Sequence, residues 1–119
     1  MSVDKFCMWC GSDEYYQSFS NNYIDEFDFI DRTRNLYEVV PKGYSKATGI
    51  QFLMKHLDIP HVNTYAFGDS SNDLPMLMYA KNSIAMGNSD RDIKEIVSYV
   101  TDDVDEDGIA NALHHFELI

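Results

Sequence analysis

The hydrophobic pattern of this chain changes period at Ser45, and that change limits the fold more than any other feature. Beyond it, segments with helical spacing alternate with apolar runs too short to be helices. Ile50, Leu53, Met54 and Leu57 stand at i, i+3, i+4 and i+7, one face of a helix, with Ser45 placed as its N-cap. Val62–Phe67 is a short apolar run stopped by Gly68 and reads as a strand. A helix follows Ser71-Asn72-Asp73, with Pro75 in its first turn, where a missing N–H costs nothing. Ser83–Met86 reads as the next strand, ended by Gly87-Asn88. Ser89 reads as the cap of another helix, with Asp92 in a capping-box variant and Ile93, Ile96 and Val97 turned inward. Tyr99–Thr101 is a last strand, and Ile109, Leu113 and Phe116 mark a C-terminal helix. Strands alternating with helices argue for α/β architecture, a parallel sheet covered by helices.

The residues before Ser45 read differently. Lys5–Cys10 is short and extended, Ser12–Asn22 is a helix capped by Ser12 with Tyr15, Tyr16 and Phe19 on one face, and Phe27–Asp31 alternates apolar with acidic residues as a half-buried strand. Leu36–Val40 is a further strand ending at Pro41, with Asp31–Asn35 as the turn between the two. The expectation is an antiparallel α+β piece over residues 1–40 and an α/β piece over 41–119.

Charge narrows the function. With 9 Lys+Arg against 20 Asp+Glu, the net charge is −11. That argues against nonspecific nucleic-acid binding, which needs cations to neutralise phosphates, and against an anionic membrane surface. No apolar run approaches the ~20 residues that span a bilayer. Met1-Ser2-Val3-Asp4-Lys5 shows no signal-peptide pattern, and two cysteines without an export signal predict a reduced, cytoplasmic setting.

The chemistry concentrates in Gly68-Asp69-Ser70-Ser71-Asn72-Asp73. Asp69 stands at the carboxyl end of an expected parallel strand, where ligands bind in open α/β sheets. Asp73 and Asn72 follow at the start of a helix. Two carboxylates without thiolate or imidazole suit Mg2+; capping the helix is the alternative use for Asp73 and Asn72. Lys46, at the start of its own helix, is either a fixed ammonium for an anion or an exposed first-turn lysine. Asn88, after a strand end and a glycine, lines the same mouth or makes a plain turn.

The hexapeptide from Gly68 resembles the fourth motif of the haloacid dehalogenase-like (HAD) phosphatases. Pro41-Lys42-Gly43-Tyr44-Ser45-Lys46-Ala47 resembles the third-motif segment of their Cof-type branch, which carries a type-2 cap. Ser83–Asn88, Tyr99–Thr101 and Glu106–Ala110 resemble its later landmarks, in the same order. The resemblance implies a Rossmann-like core and hydrolysis of small phosphorylated metabolites through an aspartyl-phosphate. It implies Asp69 as a Mg2+ ligand and Asp73 as a second acid of the metal site or a group orienting a metal-bound water. Asn72 would hydrogen-bond the phosphoryl group or its neighbours, and Lys46 would hold the nucleophile and a phosphoryl oxygen, with Lys42 as the competing lysine; Asn88 is the further candidate for binding phosphate at that mouth.

The family's first motif, Asp-x-Asp with a Gly-Thr-type turn, and its second, a strand-ending Ser/Thr, are not among these residues. Asp25-Glu26-Phe27-Asp28 is the nearest string and lacks the preceding strand and the glycine. The chain therefore resembles the C-terminal half of such a core, with residues 1–40 as the end of the cap. The expectation is inactivity in isolation and either self-association or a complex with the missing N-terminal half. Two other readings stand beside it: a non-catalytic α/β module, and a calcium-binding acidic domain built on Asp103-Val104-Asp105-Glu106-Asp107-Gly108, whose twelfth position is His114 rather than Glu. Cys7-Met8-Trp9-Cys10 has CxxC spacing but supplies half of a zinc site at most.

Overall fold

The computed structural model describes residues 4–119; the reading of the first three residues as part of a leaderless N-terminus lies outside them. The chain divides into two compact units, one ending at Tyr44 and the other running from Ser45 to Ile119.

In the first unit, strand β1 (Phe6–Trp9) is followed by helix α1 (Asp13–Tyr23) and strands β2 (Phe27–Asp31) and β3 (Leu36–Pro41). The order is β1-β3-β2, antiparallel throughout, with Phe6 opposite Val39 and Phe29 opposite Val39 from the other side. Ser12 caps α1 by accepting from the Tyr15 amide. One face of α1 packs on the sheet: Tyr16 stacks on Tyr37 at 3.9 Å, and Phe19 meets Phe29 edge-on. Tyr15, expected on that face, is exposed. The β2–β3 turn uses three consecutive residues with positive φ, Thr33, Arg34 and Asn35, the first tied to Asp31 through its amide.

In the second unit, α2 (Lys46–Leu57) opens with a full capping box between Ser45 and Thr48. Then come β4 (Tyr65–Gly68), α3 (Leu74–Tyr79), β5 (Asn82–Ala85), α4 (Arg91–Lys94), β6 (Tyr99–Val100) and α5 (Gly108–His115). The sheet is parallel, in the order β4-β5-β6. Its central strand is the most buried, with Ile84 and Ala85 fully covered, and Ala66, Leu77, Ala80, Ala85 and Ile93 form one core. Ser83 and Ser98 exchange hydroxyl and amide hydrogen bonds beside β5, so the buried Ser83 is satisfied.

Three further expectations are corrected. The strand expected over Val62–Phe67 begins only at Tyr65: Pro60 initiates a single 3-10 turn over His61–Asn63, and the Asn82 amide binds the carbonyls of Val62 and Thr64 across it. Ser89 caps nothing. Asp90 stands at the N-cap of α4, the helix lasts one turn, and the Ser89 hydroxyl is buried against the Gly68 carbonyl at 3.2 Å. Because α4 ends at Lys94, the helical period stops and Ile96 is exposed while Ile93 is buried. Among the described residues, no helix is long and apolar enough to cross a membrane.

Candidate active site

Parallel strands deliver their carboxyl ends to one edge of the sheet, and loops there gather side chains from several elements. In the second unit β4 ends at Gly68 and β5 at Ala85. A cleft of about 280 Å3 lies over these two ends, and Lys46, Asp69, Asp73 and Asn88 all line it. Four of the five residues expected from the sequence therefore share one concavity. Asn72 is not among its lining residues; it sits in the 3-10 turn Ser71–Asp73, its carbonyl oxygen accepting from the Ser70 hydroxyl.

Asp73 is the fixed point. Its residue is 5% exposed, one carboxylate oxygen pairs with the Lys46 ammonium, and the other accepts from the Asp69 amide at 3.1 Å. Burial by itself raises its pKa; the Lys46 ammonium and the amides of Asp69 and Ser70 outweigh that and hold the carboxyl below its ordinary value. The sequence suggested Asp73 as a helix cap, yet its side chain caps nothing and turns back on the strand end instead. Gly68 makes this approach possible. A Cβ at that position would lie 2.7 Å from the Asp73 Cβ and 2.9 Å from Leu77 Cδ1, inside any real carbon contact.

Asp69 differs. It is exposed, and its carboxylate makes no hydrogen bond or ion pair among the described residues. Lys46 is placed by the first turn of α2, half exposed, with part of its ammonium still open to the cleft. Asn88 is held by its carbonyl oxygen, which accepts from the Val104 amide at 3.2 Å, leaving its amide nitrogen without a protein partner among the described residues. Lys42, the competing lysine, donates to the Ile24 carbonyl at 2.8 Å within the first unit. Gly87 and Ser89 escaped sequence reasoning: at Gly87 a side chain would collide with Asp103, and the Ser89 hydroxyl joins the ends of β4 and β5. A serine directly before an aspartate offers two competing caps, and that ambiguity was the available signal.

The arrangement presents one free carboxylate, one positioned ammonium and one amide donor around an open cleft, with a second carboxylate locked behind them. No group of three or more His, Cys, Asp or Glu among the described residues is arranged to hold a metal ion. Within the acidic stretch after Thr101, Val104–Glu106 forms a 3-10 turn and Asp107 adopts positive φ to open α5. Cys7 is exposed and Cys10 buried, both free.

Residues 4–113 match the family of haloacid dehalogenase-like hydrolases. The chain belongs to this family. It is 44% identical over 94 residues to YkrA of Bacillus subtilis strain 168, a match covering 79% of this chain and 37% of YkrA. A crystal structure from Geobacillus kaustophilus HTA426 superposes on 98% of the chain with a TM-score of 0.86 at 34% identity, using 45% of its own length. The HAD subclass IIB sugar phosphatase BT4131 superposes on all of it with a TM-score of 0.82 at 31% identity, again over 45% of its length. This HAD-family chain thus spans less than half the length of each of these relatives.

Proposed function

We propose that the chain carries part of a Mg2+-dependent phosphomonoester hydrolase that acts on small phosphorylated metabolites through an aspartyl-phosphate. The second unit is read as the C-terminal half of the HAD core and the first as the end of its cap. The observation that carries the reading is the exposed Asp69 carboxylate at the end of β4, without a partner among the described residues and flanked by the Lys46–Asp73 ion pair. The likeness to a sugar phosphatase supports the substrate class.

Each side chain then has a defined task. The donor set fits a hard cation, because Asp69 offers a carboxylate and, among the described residues, no Cys or His lines the cleft; Met86, which does, brings only a neutral thioether. Asp73, with both oxygens engaged, acts from behind by fixing the Asp69 backbone and holding Lys46. Mg2+ bound there would screen charge on the transferring phosphoryl group. Lys46 supplies a fixed ammonium where negative charge builds up, without reorganisation during the reaction. Asn88, in the cleft lining, offers its amide as a donor to a phosphoryl oxygen, and Asn72 is tied into the adjoining loop by the Ser70 hydroxyl.

Asp69 and Asp73 are committed to these tasks, so neither serves as the nucleophile, and the 119-residue chain alone releases no phosphate from p-nitrophenyl phosphate. The site itself is tested with Mn2+ as a paramagnetic stand-in. The amide signals of Gly68, Asp69 and Asn88 broaden in the wild type and recover in Asp69→Asn. Broadening centred on Asp102–Asp107, or unchanged in Asp69→Asn, overturns the metal assignment. Phosphate release that persists through purification and disappears in Asp69→Asn refutes inactivity while keeping the hydrolase reading.

A further inference from the structure

The first unit gives one face of its sheet to α1 and builds a different chemistry on the other. On the helix side lie Phe27, Phe29, Tyr37 and Val39. Alternation places Cys7, Glu38 and Ile30 side by side on the opposite face, with Leu36 and Val40 above and below Glu38 on the same strand.

Glu38 is only 8% exposed, on a face where Cys7 and Leu36 are exposed. One of its oxygens pairs with Lys5 Nζ at 2.5 Å; the other accepts from Arg32 Nε at 2.9 Å and Nη2 at 2.7 Å. A single buried carboxylate is neutralised by one cation, yet here it holds two, one from each side. The cluster carries a charge of +1 within a chain whose net charge is −11. Among the described residues the two cations keep further donors: two N–H on Lys5, and on Arg32 both hydrogens of Nη1 and one of Nη2. Their side chains are 54% and 29% exposed, so those donors remain reachable from solvent. Among the described residues of β2, Asp28 shares this face; it lies four residues, about 13 Å, from Arg32 and makes no ion pair with it.

We propose that Lys5 and Arg32, held apart and aimed by Glu38, form a binding site for the oxyanion group of a small molecule, a phosphate or a carboxylate. The guanidinium fork matches the geometry of both groups, and the surplus positive charge selects for an anion. Glu38 positions the two cations and does not touch the ligand. The site lies within the first unit and stands or falls independently of the Asp69 cleft.

Amide NMR of the whole chain, titrated with inorganic phosphate and separately with acetate, tests this. The expected result is saturable shifts at Lys5, Arg32 and Glu38 with at least one of the two anions; shifts with phosphate alone identify a phosphate site, and with acetate alone a carboxylate site. Glu38→Gln frees both cations from the carboxylate that aims them and is expected to weaken binding about threefold, and Lys5→Met, which removes one cation, weakens it by a similar factor. Lys5 is the more exposed partner, so Lys5→Met keeps the test valid if Glu38→Gln fails to fold. No shift at these amides with either anion, or shifts confined to the residues around Lys46 and Asp69, overturns the proposal. So does binding that both Glu38→Gln and Lys5→Met leave unchanged.

Discussion

Removing the Asp73 carboxylate separates its two attachments. In Asp73→Ala the Lys46 ammonium loses a partner and the Asp69 amide loses its acceptor. Lys46 is half exposed, so the ion pair is screened by water and contributes about 1 kcal/mol. The charge-assisted hydrogen bond from the Asp69 amide contributes about 2 kcal/mol. Asp73→Ala is therefore expected to destabilise the second unit by about 3 kcal/mol. Asp73→Asn keeps an acceptor for the amide and loses only the charge, for about 1 kcal/mol. The pH dependence has a definite sign. The folded Asp73 carboxyl has a lowered pKa, so the unfolded chain binds its proton first as pH falls. The difference between wild type and Asp73→Asn is thus full above the ordinary carboxylate range and shrinks as pH drops through the folded value. Amide hydrogen exchange at Ala66 and Ile84, in the core of this unit, reads the stability without interference from the first unit. A wild-type to Asp73→Ala difference below about 0.5 kcal/mol refutes the argument. A wild-type to Asp73→Asn difference that does not change between about pH 6 and pH 3 refutes it equally.

Gly68→Ala is expected to cost about 1–3 kcal/mol, because its Cβ collides with Asp73 and Leu77; thermal unfolding measures this, and a neutral result would mean that the strand end moves freely. One free carboxylate and otherwise water ligands predict weak Mg2+ binding to the 119-residue chain; calorimetry returning a low-micromolar dissociation constant would contradict that ligand count. Finally, β4 forms the edge of the parallel sheet, and Phe52, Leu53, Leu57 and Val62 are all exposed in the same unit. An open strand edge and uncovered apolar side chains recruit a partner, so the chain is expected to self-associate at moderate salt. Sedimentation equilibrium showing a folded monomer at high micromolar concentration would refute this.

Much was legible in the sequence because it depends on neighbours along the chain. The Ser45 cap and the 3.6 period set α2 within a residue of its observed start, and Phe27–Asp31 was recognisable from alternation alone. Asp69 at a strand's carboxyl end followed from a strand stopped by glycine before a helix. The α2 periodicity also showed which residues share a face, but not whether that face is buried: Leu53 and Leu57 stand exposed because burial depends on what packs opposite. Ser89 and Asp90 compete for one cap, and the contest was decided by the Gly68 carbonyl, 21 residues away in sequence. Asp73 and Asp69 look equivalent as letters. Only the fold makes one a buried partner of Lys46 and leaves the other free, since that depends on Gly68 letting the chain close to within a carbon contact of Asp73 and on α2 bringing Lys46 across from 27 residues upstream. The same holds for Glu38: a register between three antiparallel strands, not any local pattern, places one carboxylate between Lys5 and Arg32. Local preferences act over a few residues and can be read in order; charge pairing, desolvation and close packing act through space, and the tertiary structure alone sets which residues meet.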